Sequence, residues 1–210
     1  MLGATAQQNC VVVVQRGPQL TPPAWQELVS GLPLTERRRI EEMHRWEDRQ
    51  DSAIGWHLLH ELAGERDVTV RRDANGRPCS DPPVDVSLSH SGGWIAAAAC
   101  ETGRIGIDVE TLRDVAPSLA QRCLSAAELA WLERAEPGVP RDLRFCRLWT
   151  AKEAYLKATG VGLAADPREV SIDHTRHEPR LLGLAAQCWR FSSSTPAPGV
   201  CVTVCVECAP

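Results

Sequence analysis

The apolar run Val11 to Val14, flanked by Cys10 and Gln15, predicts a buried strand near the start of the chain. After the turn signal Pro22-Pro23 and a mixed basic and acidic region, helical spacing sets in from about Trp46 to Leu62. Short strand patterns follow at Val68 to Arg72, Val84 to Leu88 and Trp94 to Cys100, separated by the turn pairs Asn75-Gly76 and Gly92-Gly93. The order then recurs. A strand at Ile105 to Glu110 precedes Ser125-Ala126-Ala127-Glu128, which has the spacing of a capping box. A longer helix, about Leu143 to Thr159, ends near Gly160 and Gly162. Strands near Glu169 to Ile172, Gln187 to Phe191 and Val200 to Glu207 close the chain.

Strand, helical region and three strands therefore occur twice, with a boundary near Glu101 to Arg104. The expected fold class is α+β, with two similar halves, 1–103 and 104–210, packed face to face as a pseudo-twofold dimer. A single mixed sheet with helices on one side fits the same order. The halves share no appreciable sequence identity, so the repeat is read from element order alone.

Composition narrows the field. The 210 residues are 43% hydrophobic and 24% charged, ordinary globular values that exclude a disordered or collagen-like chain. A net charge of -4 argues against generic nucleic-acid binding. The run Val11 to Val14 is too short for a signal segment, and no stretch approaches membrane-spanning length. Nine cysteines without an export signal point to reduced thiols in a cytoplasm. Cys201, Cys205 and Cys208 lie in an alternating strand with no local fourth ligand, so buried thiols are favoured there over zinc.

Two clusters carry the chemistry. On a strand, Asp108 and Glu110 share one face while Ile107 and Val109 point into a core. Paired carboxylates repel unless a cation sits between them, and hard oxygen donors suit magnesium, which keeps several waters and takes phosphate oxygens as further ligands. On the helix, Glu153 and Lys157 are four apart and share a face. Taken singly, the strand pair reads as a solvated edge and the helix pair as a stabilising surface pair. Together they suggest an acidic metal site with a lysine aimed at a phosphate or leaving group.

Four segments in this order resemble the Sfp-type 4′-phosphopantetheinyl transferase family: Asn75-Gly76-Arg77-Pro78, Ser87-Leu88-Ser89-His90-Ser91, Gly106 to Glu110, and Trp149 to Lys157. The resemblance implies an enzyme that moves the phosphopantetheine arm of coenzyme A onto a serine of an apo acyl or peptidyl carrier protein, releasing 3′,5′-ADP, in polyketide or nonribosomal peptide synthesis. It implies Asp108, Glu110 and Glu153 as ligands of Mg2+, with Glu153 also the candidate base. Asp108 and Lys157 would then lie against coenzyme A, Lys157 at its pyrophosphate. His90 would bind the 3′-phosphate, and Ser89 with Gly76, Arg77 and Pro78 would line the adenine pocket. The N-terminal half would thus hold the nucleotide end, and the C-terminal half the metal and the carrier, in a cleft formed within one monomer.

The chain departs from the family on the helix near Ser52 to His60. Phosphate-binding cations are expected there, and the aligned residues are Asp51, Trp56 and His60. Arg37 and Arg39, just upstream, are the replacements, because coenzyme A needs a local positive field even on an acidic protein. A solvated helix face competes for that run. The seven tryptophans read as core packing. Leu112 to Leu124, with Arg113 and Arg122, is either a packed connection or the surface that receives the carrier. A non-catalytic carrier-binding or coenzyme A-binding module and a metal-dependent nucleotide hydrolase remain as rival readings.

Overall fold

The computed structural model describes residues 10–64, 69–81, 84–134, 138–162, 165–175, 178–183 and 185–208. The chain divides into two compact units, Met1–Thr102 and Gly103–Pro210. Unit 1 runs β1 (Cys10–Arg16), α1 (Pro22–Ser30), α2 (Leu34–Glu41), α3 (Trp46–Gly64), β2 (Val70–Arg72), β3 (Pro78–Ser80), β4 (Asp85–Ser91) and β5 (Trp94–Cys100). Unit 2 runs β6 (Ile105–Thr111), α4 (Pro117–Cys123), α5 (Ala126–Leu132), α6 (Arg141–Thr159), β7 (Ile172–Asp173), β8 (Arg180–Leu181), β9 (Trp189–Ser194) and β10 (Val200–Glu207). The class is α+β. Among the described residues, one strand, three helices and four strands appear in each unit, a closer repeat than the sequence pattern disclosed.

The main sheets repeat as well. In unit 1 the order is β1-β5-β4 and in unit 2 it is β6-β10-β9, so the last strand of each unit lies at the centre. All neighbours are antiparallel. The pairs β2-β3 and β7-β8 form small separate ribbons. Each unit has its own core, built around Ile40, Trp56, Leu59 and Ile95 in the first. In the second it is built around Leu124, Leu132, Leu148 and Leu156.

The long helices cross their sheets differently. α3 lies over β5 and β4, whereas α6 lies over β6 and β10. A glycine opens each crossing. A β-carbon on Gly55 of α3 would stand 2.6 Å from Leu88 Cδ1 on β4. On Gly106 of β6 it would overlap the Ala154 carbonyl of α6. Close approach of α6 to β6 is therefore written into β6, the strand that carries Asp108 and Glu110.

Several local expectations are corrected. Pro22-Pro23 opens helix α1 instead of making a turn, since the first helical N–H groups lack intrahelical partners and proline loses nothing there. Leu112 to Leu124 contains helix α4. The strand expected at Glu169 to Ile172 is a single 3-10 turn, Pro167–Glu169, followed by the two-residue β7. The strand expected from Gln187 begins at Trp189 after another 3-10 turn. Val68, the expected start of β2, lies outside the described residues. β4 continues to Ser91 and joins β5 through Gly92 and Gly93, both at positive φ (57° and 79°), as a tight hairpin turn of this hand requires.

The expectation of uniformly reduced thiols is also corrected. Cys10 and Cys100 face each other across β1 and β5 and are joined as a disulfide, while the other seven cysteines are free. Among the described residues, no helix is long and apolar enough to cross a membrane.

Candidate active site

Four candidate residues come together in unit 2. Asp108 on β6 is buried, and its Oδ1 accepts a hydrogen bond from Lys157 Nζ on α6 at 2.7 Å. The same ammonium reaches the Ile107 carbonyl at 3.2 Å. Both faces of β6 are covered, so the solvated-edge reading fails for Asp108: Ile107 and Val109 are fully buried, and α6 lies over the other face. Glu110, two residues on, is partly exposed.

Glu153 sits one helical turn before Lys157. Burial pushes its carboxyl above the ordinary value; Lys157 opposes this, and Asp108 and Glu110 add to it. The three carboxylates therefore act on one another across β6 and α6. Lys157 is the cation that acts on Glu153, and the Arg113 guanidinium lies 4.0 Å from Glu110.

The helix is held in this register by a residue to which sequence reasoning gave no role. Lys152 is fully buried, and its Nζ donates to Pro167 O (2.8 Å) and Val170 O (2.6 Å) and pairs with Glu128 Oε2 at 2.7 Å. Glu128 also accepts from the Ser125 and Ile172 N–H groups. The predicted capping box is present, and its glutamate doubles as the counter-ion of Lys152. Lys152 adjoins Glu153 in sequence, which was the available signal; its side chain runs to Glu128 and the carbonyls of Pro167 and Val170.

The unit 1 candidates occupy two places. Gly76, at φ 81°, Arg77 and Pro78 lie on and beside the β2–β3 turn, where Asp73 Oδ1 accepts from the Asn75 and Arg77 N–H groups at 2.9 Å. Arg77 forms a bidentate pair with Asp85 at 2.9 and 2.7 Å, tying the turn to β4. Arg72 donates to Gly76 O, pairs with Glu36 at 2.7 Å and lies over the Trp56 ring. Ser89 and His90 lie on β4.

Arg37 makes contacts within unit 1. Its guanidinium donates to Ser30 O and Leu32 O, both at 2.7 Å, and fastens α2 to the end of α1. Arg39 is exposed. Asp51, one of the residues standing where cations were expected, is buried on α3 and accepts from the Gly93 N–H at 3.1 Å.

Comparison with known proteins decides the family. Over 194 residues the chain is 31% identical to the 4′-phosphopantetheinyl transferase HetI of Nostoc, covering 86% of this chain and 81% of that protein. The chain is an Sfp-type member of the 4′-phosphopantetheinyl transferase superfamily. The superfamily profile matches residues 104–205, which hold all four site residues of unit 2. The chain is also 31% identical to psf-1 of Bacillus pumilus over 112 residues, about half of each (51% of this chain, 47% of that protein). With Sfp of Bacillus subtilis it shares 25% over 147 residues, 66% of this chain and 65% of that protein. Among solved structures, Thermotoga maritima holo-[acyl-carrier-protein] synthase matches 52% of this chain and 65% of its own, with 22% identity and a TM-score of 0.44.

The donor set on β6 and α6 consists of hard carboxylate oxygens beside one ammonium. Among the described residues, no group of three or more His, Cys, Asp or Glu side chains converges as a ready metal cage. Magnesium does not require one, because it keeps several waters and is typically held by one or two carboxylates together with substrate phosphates. Hard carboxylate oxygens that repel one another fit that ion. Beside Glu110 a shallow pocket is lined by Arg113, Asp142, Phe145, Cys146 and Trp149. Leu112, just after β6, and Leu119, on α4, are exposed.

Proposed function

We propose that this chain transfers the 4′-phosphopantetheine arm of coenzyme A to a serine of an apo acyl or peptidyl carrier protein of polyketide or nonribosomal peptide synthesis, releasing 3′,5′-ADP. The observation that carries the reading is the contact of Lys157 with Asp108, beside Glu153 and Glu110, on an α6 pressed against β6. Asp108, Glu110 and Glu153 would hold Mg2+, which would supply charge neutralisation at the pyrophosphate. The element order repeated within one chain supports action as a monomer.

In the reaction the serine Oγ forms a bond to the β-phosphorus, the bond from that phosphorus to the 3′,5′-ADP oxygen breaks, and the serine proton must leave. Glu153 is the acceptor. Lys157 is fixed by Asp108 and the Ile107 carbonyl, so its ammonium needs no reorganisation to stabilise charge on the phosphates. The nucleotide end falls to unit 1, with His90 on the 3′-phosphate and Ser89, Gly76, Arg77 and Pro78 against the adenine. Exposed Leu112 and Leu119 receive the carrier.

The test is to incubate the protein with coenzyme A, magnesium and a panel of apo-carriers. A carrier gaining the mass of one phosphopantetheine group supports the reading. Coenzyme A binding without any acceptor across the panel would indicate a binding module, and its consumption without acceptor a hydrolase.

A further inference from the structure

A cavity of about 550 Å³ opens in unit 2 between the first half of α6 and the strands β9 and β10. That volume is typical of a small-molecule site. None of Asp108, Glu110, Glu153 and Lys157 lines it, although α6 borders both places. Its wall is basic and hydroxylic, with Arg144 and Arg147 of α6, Trp131, His174 and the stretch from Ser193 to Thr195 at the end of β9. On a chain of net charge -4 this is a local reversal of sign. Glu178 takes the Ser193 N–H at 2.9 Å, and Asp173 takes the Thr175 N–H and hydroxyl at 2.9 and 2.7 Å; neither acid lines the cavity.

Floor and rim differ. Thr150 and Thr203 are buried, their hydroxyl oxygens lie 3.0 Å apart, and Ser193 Oγ lies 2.9 Å from Thr203 Oγ1. Thr150 gives its proton to the Arg147 carbonyl at 3.1 Å, so Thr203 donates to Thr150, Ser193 donates to Thr203, and the hydroxyl protons of the floor are all spent within the wall. Donors for a ligand therefore come from the rim, where Arg147, Ser194 and Thr195 are exposed.

The two arginines are placed differently. Arg144 is buried, donates to the Leu132 carbonyl and lies 5.1 Å over the Trp131 ring, a fixed positive charge in the wall. Among the described residues the Arg147 guanidinium makes no hydrogen bond or ion pair, so its planar fork of N–H donors is available. The His174 ring lies 6.0 Å from that of Trp131, and its buried Nε2 has no hydrogen-bond partner among the described residues. Burial, with the Arg147 charge adding and Asp173 opposing, pushes this imidazole down to about 4, so at neutral pH the positive charge of the cavity is that of the arginines.

We propose that this cavity binds a small organic oxyanion, a phosphate monoester or a carboxylate, with its head on Arg147, Ser194 and Thr195 and an aromatic or apolar body against Trp131. A guanidinium fork matches either head in bidentate geometry. The body follows from size, since the space far exceeds an inorganic ion and one wall of it is an indole.

The test uses the full chain and two variants, Arg147→Ala and Arg147→Glu, at an exposed position where the fold should survive, as circular dichroism verifies. Each is titrated without magnesium with phenyl phosphate, benzoate, inorganic phosphate and benzyl alcohol, while NMR follows the Trp131 indole and His174 ring resonances. Phenyl phosphate or benzoate should saturate the parent and move both resonances, and the tighter of the two identifies the head group. Arg147→Ala should weaken that binding on the order of tenfold or more, Arg147→Glu should abolish it, and benzyl alcohol should not bind. Failure of both aromatic acids to saturate the parent, equal affinity in Arg147→Glu, or shifts that spare Trp131 and His174 overturns the proposal. Inorganic phosphate binding as tightly as phenyl phosphate overturns the placement of a body against Trp131.

Discussion

Gly106 on β6 lies directly under Ala154 on α6, so close that a β-carbon at Gly106 would overlap the Ala154 carbonyl oxygen and come within 2.6 Å of the Ala158 nitrogen. Backbone stands in the way on both counts, and no rotamer change relieves it. Gly106→Ala should therefore destabilise unit 2 by about 3 kcal/mol or more. Chemical denaturation measures this. Any variant that still folds should lose transfer, because α6 can no longer set Glu153 and Lys157 beside Asp108.

Lys152 and Glu128 form a buried pair whose removal leaves a stranded charge. Lys152→Ala should cost about 3–5 kcal/mol, since Glu128 keeps its capping contacts but loses the buried cation it pairs with. Lys152→Met should cost less than Lys152→Ala, because the stem is refilled. Melting temperatures of the two variants check the order.

The raised Glu153 carboxyl gives a linkage of definite sign. The folded state binds that proton more readily than the unfolded state, so the stabilisation from protonated Glu153 is complete below the ordinary value of 4.5 and is lost as pH rises through the raised folded value. Metal-free protein should accordingly lose stability across that window, and Glu153→Gln should flatten the profile. Magnesium should raise the melting temperature of the parent above the window and have little effect on the variant. Melting curves from about pH 4 to 8 with and without magnesium decide this.

His90→Ala should weaken coenzyme A about ten- to a hundredfold, the worth of a charged hydrogen bond, while leaving dephospho-coenzyme A nearly unaffected. Turnover at saturating coenzyme A should change little, because the 3′-phosphate lies away from the reacting bond. Steady-state kinetics with both cofactors provide the comparison.

Much of this was legible in the chain. The alternation in Ile107-Asp108-Val109-Glu110, the capping box at Ser125 and the stop at Gly160 each encode local geometry, and each appears as written. What was not legible depended on tertiary context. The two prolines of α1 look like a turn until the helix that they open is seen. β3 and β8 have three and two residues, too few to show a period. Arg37 stands in the sequence as a replacement for the cations missing from the next helix, and only the fold shows that its guanidinium also donates to the carbonyls of Ser30 and Leu32. Lys152 stood in the middle of the recognised motif and revealed its role only through Glu128, 24 residues earlier in the chain and one helix away.

The most direct test is the transfer rate of Asp108→Asn against the parent, read as the mass gain of an apo-carrier with coenzyme A and magnesium. Asparagine retains the shape of the side chain and removes its charge, so the fold should survive while transfer falls about a hundredfold or more. Near-parental transfer by a correctly folded Asp108→Asn at ordinary magnesium would contradict the account.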